Sequence, residues 1–205
     1  MIKDTKICGI SDLKTLKFIV NHPQPPKFIG FITNYKKSRR YVNFGKLKKL
    51  INLKKNKINF VSVLVNPNNK ILEKIKKLKF DYYQLYDVDP QKTKFIKKKY
   101  KKKIISSLMI ENKEHIDRYK LYQNISDIIL FDGKGYEKSI GFNHDLIEEL
   151  PSSFNKMIAG NIKIDDIYKF KNKDLIVDLS GALENNEGKK DIEKINKLLN
   201  LVKQL

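Results

Sequence analysis

Residues 60–78, FVSVLVNPNNKILEKIKKL, decide the fold, because they join a buried-strand pattern to an amphipathic helix pattern. The β-branched run 60–65 has the length and composition of a buried strand. Apolar residues then recur at helical spacing over 70–78, and Asn68 is suited to cap this helix. The stretch therefore predicts one strand followed by one helix.

The same strand-then-helix pattern recurs roughly every 25 residues, with no linker or break in composition to divide the chain. Strands are predicted at 6–8, 28–32, 60–65, 82–85, 104–109, 127–131, 156–159 and 175–179. Helices are predicted at 11–20, 44–53, 70–78, 90–100, 113–121, 145–149, 164–170 and 191–202, with Asp165 as a second cap. Eight such units predict an α/β fold of the (β/α)8 class, a TIM barrel, formed by a single domain over residues 1–205.

The composition is that of a globular chain with one free thiol. Hydrophobic residues make up 40% of the sequence, enough for a sizeable core. Cys8 is the only cysteine, which excludes an internal disulfide and a cysteine-rich metal site and indicates a reducing, cytoplasmic location. The longest apolar runs are too short to span a bilayer, and the first residues lack a signal-peptide pattern. We therefore expect no membrane partner.

The chain is strongly basic, with a formal net charge of +20. Of its 43 basic residues only Arg39, Arg40 and Arg118 are arginines, although base readout favours the guanidinium group. The lysines are spread over several predicted helices, which is typical of a solvated surface. The pattern argues against a nucleic-acid partner, and it is compatible with steering of a small anionic substrate.

Four reactive side chains stand at or after predicted strand ends: Cys8, Arg40, Asp132 and Asp178. In TIM barrels the active groups lie at this carboxyl end, and a phosphate site often follows strands seven and eight. Each residue also has a structural interpretation. The cysteine can be a buried hydrophobe, the aspartates turn residues or helix caps, and the arginine a surface cation. Position alone leaves both interpretations open.

Seven segments together give a more specific indication. In chain order they are KICGI, GFITNYKKSRRYV, VSVLVNPN, YYQLYD, IILFD, MIAGNI and VDLSGALENNEGKKD. With them the chain resembles the phosphoribosylanthranilate isomerase family over almost its whole length; the opening KICG and the final D-x-S…E…G-x-K-D pattern are the specific parts. The resemblance implies a barrel of the ribulose-phosphate-binding type.

The resemblance also implies an Amadori rearrangement of tryptophan biosynthesis, from N-(5-phosphoribosyl)anthranilate to 1-(2-carboxyphenylamino)-1-deoxyribulose 5-phosphate. This is an aldose–ketose isomerisation, formally an intramolecular oxidoreduction, and the family needs no metal or cofactor. By position, Asp132 would be the general acid and Cys8 the general base. Arg40 would pair with the anthranilate carboxylate, and Asp178 would hold the aromatic amine or order the rim.

The phosphate site implied by the resemblance follows strands seven and eight, at Gly160, Asn161, Ser180, Gly181 and Ala182. The sequence departs from the family here. Asn161 replaces the second glycine of a pair, and the expected Ser-Ser-Gly appears as Ser-Gly-Ala. We expect Asn161 to keep the turn, because asparagine tolerates left-handed backbone better than most residues.

Two further departures concern the sugar contacts. Tyr86 stands where the family has histidine, and the loop DGKGYEKSIGFNH after the acid is shortened. Lys134 and Lys138 in this loop can supply ionic contacts in place of the lost backbone amides.

Two other functions stay open at this point. Another phosphosugar barrel enzyme, an epimerase or a synthase, would want metal-binding histidines or a catalytic lysine on a strand, and His22, His115 and His144 lie outside the predicted strand ends. A non-enzymatic barrel would use its basic surface to bind nucleic acid, but it would have no reason to place Cys8 and Asp132 on one rim. The expected partner is a small phosphosugar, and the chain can be a monomer or a homodimer.

Overall fold

A closed barrel of eight parallel strands forms the centre of the computed structural model, which describes residues 2–136 and 140–205. The strands are β1 (Asp4–Cys8), β2 (Phe28–Ile32), β3 (Asn59–Val65), β4 (Tyr82–Tyr86), β5 (Lys103–Ile110), β6 (Ile128–Gly133), β7 (Lys156–Ile158) and β8 (Leu175–Leu179). Each strand pairs with the next along the chain, and β8 pairs with β1 to close the barrel. The predicted (β/α)8 fold is confirmed, with strand bounds within two residues of those predicted.

Helical segments follow every strand. The α-helices are α1 (Leu13–Asn21), α2 (Phe44–Ile51), α3 (Asn69–Ile75), α4 (Pro90–Tyr100), α5 (Lys113–Asp117) and α6 (Ile192–Gln204). In the described part of the chain, 3₁₀ helices lie at Arg118–Leu121, His144–Ile147, Ile164–Phe170 and Gly181–Leu183. The predicted helices after β6 and β7 are thus 3₁₀ segments, the usual form of such short connectors. Within the described residues, no helix is both long and apolar enough to cross a membrane.

A side-chain cap begins each of the α-helices in the described residues. The predicted cap Asn68 is confirmed, because its side-chain oxygen accepts a 3.0 Å hydrogen bond from the Ile71 backbone N–H. The prediction that Asp165 caps a helix is wrong. The residue before this 3₁₀ helix is Lys163, and Asp165 lies in its first turn with its carboxylate 2.6 Å from Lys197 Nζ. A negative charge is favourable in a first turn without being a cap.

Two apolar layers result from the strand alternation. Outward-facing side chains pack against the helices, and inward-facing ones fill the barrel, where Phe28, Val61, Ile105, Leu130 and Met157 are all buried. Toward the carboxyl ends of the strands the filling becomes polar, with buried Lys6, Gln84 and Asp178. The barrel thus has an apolar base and a polar upper layer.

Candidate active site

A cavity of about 540 Å³ opens above this polar layer at the carboxyl end of the barrel. All nine residues predicted for the site line it: Cys8, Arg40, Asp132, Gly160, Asn161, Asp178, Ser180, Gly181 and Ala182. They come from the ends of β1, β6 and β8 and from the loops after β2, β7 and β8. The fold therefore brings together residues that are dispersed over most of the sequence.

The floor of the cavity holds a buried ion pair beside the thiol. Lys6 Nζ lies 2.6 Å from Oδ2 of Asp178, and the Lys6 side chain is completely buried. Gly30 of β2 makes room for this group, since a β-carbon there would lie 2.9 Å from Cys8 Sγ and 3.2 Å from Lys6 Nζ. Lys6 was not singled out from the sequence, although its position two residues before Cys8 puts both on one strand face.

Burial and charged neighbours together determine the pKa values of Cys8 and Lys6 at the floor of the cavity. It raises the pKa of the Cys8 thiol, and the Lys6 ammonium opposes this rise. Burial also opposes the charge on Lys6, but Asp178 and Cys8 outweigh it and raise the pKa of Lys6. Lys6 is therefore a cation within the barrel. The second carboxylate oxygen of Asp178, Oδ1, is buried without a hydrogen-bond partner among the described residues.

One wall of the cavity is a chain of hydrogen bonds that ends on Asp132. The Tyr86 hydroxyl donates to Asp132 Oδ2 at 2.7 Å, and Gln84 Nε2 donates to the Tyr86 oxygen at 3.1 Å. Burial, and next the charge of Asp132, raise the pKa of Tyr86 well above its ordinary value, so the phenol keeps its proton and acts as donor. Gln84 was missed from the sequence, although the strand alternation indicates that it faces inward with Tyr86.

At the rim of the cavity, three cationic side chains contact one carboxylate group, that of Glu184. Glu184 accepts from Arg40 Nε at 2.5 Å, from Lys190 Nζ at 2.9 Å and from Arg39 at 2.5 Å. Burial by itself raises the pKa of Glu184, but Arg40 and Lys190 more than offset it and lower that pKa. The cluster has more positive than negative charge, which favours a bound anion. Glu184 and Lys190 belong to the D-x-S…E…G-x-K-D pattern, yet no role was predicted for either residue.

Arg40 also lies across the end of β1. A β-carbon at Gly9, whose φ is +81°, would lie 2.6 Å from Arg40 Cδ, so only glycine lets the arginine approach this closely. Backbone space and the Glu184 carboxylate together fix the direction of the guanidinium group.

The segment after β7 has the backbone shape expected of a phosphate loop. Gly160 has φ +96°, and Asn161 has φ +56°. The expectation that Asn161 adopts left-handed backbone is confirmed. A β-carbon at Gly160 would lie 2.8 Å from the Gly133 backbone nitrogen, so this position admits only glycine.

Across from this loop, Gly181 and Ala182 begin the 3₁₀ helix after β8. The first amides of a helix have no partner within it, so their N–H groups are available to other acceptors. The hydroxyl group of Ser180, just before them, donates a 3.1 Å hydrogen bond to the carbonyl oxygen of Cys8. This bond ties the segment to the end of β1.

Aromatic rings border the mouth of the cavity. The ring centroids of Tyr35 and Tyr136 are 5.1 Å apart, and those of Tyr86 and Tyr136 are 5.8 Å apart. Tyr35 and Tyr136 were not predicted to belong to the site. All three rings line the cavity, and aromatic side chains are suited to contact a flat apolar ligand group.

The expectation that lysines of the loop after β6 supply ionic contacts to the substrate stays a prediction. Lys134 lies 2.5 Å from Glu111 at the surface and does not line the cavity. Lys138 lies outside the described residues.

Metal-ligating side chains are not clustered in the parts of the chain that the structure describes: no three His, Cys, Asp or Glu residues are placed to hold an ion. The expectation that the reaction needs no metal or cofactor stays a prediction.

A closed parallel barrel with a thiol, two carboxyl groups and a cationic rim around one cavity defines a TIM-barrel enzyme that moves protons on an anionic substrate. The N-(5'-phosphoribosyl)anthranilate (PRA) isomerase family model matches residues 5–201. The chain belongs to this family and is an isomerase.

Individual relatives cover the whole chain. An N-(5'-phosphoribosyl)anthranilate isomerase from Rhizobium johnstonii is 28% identical over 215 residues, which cover 100% of this chain and 96% of the relative. One from Zymomonas mobilis subsp. pomaceae is 29% identical over 211 residues, 98% of each chain. The crystal structure of phosphoribosyl anthranilate isomerase from Thermotoga maritima covers 100% of both chains with a TM-score of 0.88 at 24% identity, a likeness of fold.

Proposed function

We propose that this chain catalyses the Amadori rearrangement of N-(5-phosphoribosyl)anthranilate in tryptophan biosynthesis, with Cys8 and Asp132 as its acid–base pair. The reaction is an aldose–ketose isomerisation, formally an intramolecular oxidoreduction. The observation that carries the proposal is the convergence of these two side chains, from β1 and β6, on one cavity with a cationic rim. Membership of the family supports it.

The first step opens the ribose ring. Asp132 in its acid form gives its proton to the ring oxygen while the bond from that oxygen to the anomeric carbon breaks, and the aromatic nitrogen then carries the positive charge of an iminium. Tyr86 donates to one oxygen of Asp132 and so helps to stabilise the carboxylate left after the transfer.

The second step removes a proton from the neighbouring sugar carbon, C2. The Cys8 thiolate takes this proton and becomes a thiol, and the electron pair of the C–H bond forms the double bond of an enolamine that neutralises the iminium. Protonation of the enolamine at C1 and loss of its hydroxyl proton give the open-chain ketose. Atoms are conserved throughout, as an isomerisation requires.

Substrate binding follows from the charges around the cavity. Arg40 offers its guanidinium group to the anthranilate carboxylate, with Glu184 fixing its direction. The tyrosines at the mouth offer stacking surface to the anthranilate ring. Asp178, whose Oδ1 is buried without a described partner, is suited to accept a hydrogen bond from the aromatic amine.

The phosphate is proposed to lie between the segment Gly160–Asn161 and the segment Ser180–Ala182. Both segments line the cavity, and backbone N–H groups can hold a phosphate without particular side chains. The left-handed backbone at Asn161 supports this placement.

The proposed unit of function is a single barrel domain, residues 1–205, that acts on a small phosphosugar in the cytoplasm. The location is supported by the lone cysteine, since a reducing compartment preserves the thiol that the reaction needs. No nucleic-acid or membrane partner is part of the proposal, and the chain can act as a monomer or a homodimer.

The direct test is a fluorescence assay of purified protein that follows the loss of phosphoribosylanthranilate. We expect turnover above the background rate without added metal. Absence of turnover in a correctly folded preparation would refute the proposed function.

A further inference from the structure

Lys6 is a buried cation that the proposed reaction does not use. Its side chain has no exposed surface, and it lies inside the barrel directly below the cavity. Burial of a charge is strongly destabilising unless partners compensate for it. An apolar residue at this position would fill the barrel at a lower cost, so the lysine calls for a functional explanation.

The contacts of Lys6 point to Cys8. Its ammonium group lies 2.6 Å from Asp178 Oδ2, which anchors it from the side of β8. Both Lys6 Nζ and Cys8 Sγ border the space above Gly30, at 3.2 Å and 2.9 Å from where a β-carbon there would be. The missing side chain of Gly30 thus lets the two groups approach each other inside the barrel.

Charged and titratable groups face Cys8 from several elements. Besides Lys6 on its own strand, they are Asp178 on β8, Lys190 before α6, and Tyr86 on β4, while Arg40 and Asp132 line the same cavity. Of the neighbours that act on the thiol, Lys6 acts most strongly, and it holds the pKa of Cys8 below the value that burial would give. Lys190 acts in the same direction more weakly, and Asp178 acts against both.

We propose that Lys6 is the positioning residue of Cys8: its ammonium group, anchored by Asp178, stabilises and orients the thiolate that removes the substrate proton. The role of the thiolate as base rests on the proposed function, whereas its stabilisation by Lys6 does not. Lys6 keeps its proton throughout. When Cys8 takes the proton from C2, Lys6 remains paired with Asp178, so the floor of the cavity need not rearrange.

Alkylation of the thiol tests the proposal without any substrate. Because Cys8 is the only cysteine, intact mass after treatment with iodoacetamide reports this residue alone. We expect Lys6→Met, which keeps length and removes charge, to lower the alkylation rate near neutral pH about tenfold or more and to raise the midpoint pH of alkylation by about one unit. In denaturant all variants should react alike.

Lys156→Met is the matched control. Lys156 is also a buried lysine on a barrel strand, but its Nζ contacts the carbonyl oxygens of Leu150 and Pro151. Its replacement should leave the rate and midpoint of Cys8 alkylation unchanged.

Two further variants guard against misfolding. Lys6→Met leaves Asp178 as an unpaired buried carboxylate, so Lys6→Met/Asp178→Asn removes both charges at once. Gly30→Ala keeps both charges and inserts a methyl group between Lys6 and Cys8. Each folded variant should lose thiol reactivity, and the double variant should lose less than Lys6→Met, because Asp178 opposes the thiolate and is removed as well. Gly30→Ala also crowds Cys8 Sγ, so for this variant the midpoint pH of alkylation is the readout.

The outcomes separate this proposal from the proposed function. A folded Lys6→Met or double variant whose Cys8 reacts with wild-type rate and midpoint overturns the role of Lys6, even if the wild type is an active isomerase. Slower alkylation in these variants supports the role, even if the wild type does not turn over phosphoribosylanthranilate. In an active enzyme, kcat should fall in parallel with the alkylation rate.

Discussion

The hydroxyl group of Tyr86 lies 2.7 Å from Oδ2 of Asp132 and donates a hydrogen bond to it. Gln84, two residues earlier on β4, supports the same hydroxyl from the other side. A histidine is usual at position 86 in the family that the sequence resembles, so this chain reaches the acid with a longer side chain that stays neutral. The relationship makes Tyr86 part of the environment of the proposed acid.

Replacement of Tyr86 by phenylalanine should lower kcat about tenfold to a hundredfold with little change in KM. A hydrogen bond to a charged group contributes about 1.5 to 3 kcal/mol, and here the charge develops only as Asp132 gives up its proton. Steady-state kinetics measure the effect. Tyr83→Phe is the control, since the Tyr83 hydroxyl is buried without a partner in the described residues. If Tyr86→Phe slows Asp132→Asn as much as it slows the wild type, Tyr86 does not act through Asp132.

The acid–base pair itself should be indispensable. Cys8→Ala and Asp132→Asn should each lower kcat by about 10² to 10⁴, the usual contribution of a positioned proton-transfer group. Both changes are small, so circular dichroism and thermal unfolding should show the fold intact. Turnover near the wild-type level in Cys8→Ala would show that Cys8 is a buried hydrophobic residue without a catalytic role.

Glu184→Gln should destabilise the protein in a pH-dependent way. Burial raises the pKa of Glu184, but Arg40 and Lys190 lower it to below its ordinary value of 4.5. A depressed pKa means that the carboxylate stabilises the fold above about pH 4.5 and loses this effect as the pH falls through the folded-state value. We expect a loss of about 3 kcal/mol at pH 7 that shrinks in acid, measured by urea unfolding.

Glu187→Gln is the control for urea unfolding at pH 7 and at acidic pH. Glu187 pairs with Lys189 at 2.7 Å at an exposed position, and its replacement should have no measurable effect. A loss in Glu184→Gln that stays constant from pH 7 into the acid range would contradict the ionic origin of the effect.

The phosphate loop can be tested through its backbone. Asn161→Val places a β-branched residue at φ +56°, which costs about 1 to 3 kcal/mol, and it should raise KM about tenfold while lowering kcat less. Asn56→Val imposes the same strain at φ +49° between α2 and β3, so its KM should not change. A crystal grown with sulfate should show the anion on the amides of Asn161 and of Gly181 or Ala182. An anion bound elsewhere on the rim would refute this placement.

The basic surface should bind nucleic acid only weakly. If its lysines are a solvated surface, affinity for random duplex DNA should fall by orders of magnitude between about 50 and 200 mM salt, through counterion release. Fluorescence anisotropy at a series of salt concentrations measures this. Preference for one sequence at physiological salt would instead favour the nucleic-acid-binding alternative.

Local patterns were sufficient to predict the architecture. Buried strands and amphipathic helices depend on residues close in sequence, as in residues 60–78, and eight repeats of such a unit are typical of a closed barrel. Because parallel strands place their carboxyl ends at one edge, the positions of Cys8, Asp132 and Asp178 also predicted a shared rim. The 3₁₀ form of the segments after β6 and β7 was not predicted, because such short segments take their shape from packing.

The sequence by itself thus determined the barrel, the end at which its chemistry lies and the residues on that rim, since these follow from strand direction and periodicity. Only the tertiary structure decided which side chains pair. Lys6 meets Asp178 across 172 residues, Arg40 meets Glu184 across 144, and Tyr86 meets Asp132 across 46. Such pairs depend on strand register and on space left by Gly9 and Gly30, because an ion pair forms only where distance, burial and room for both groups coincide.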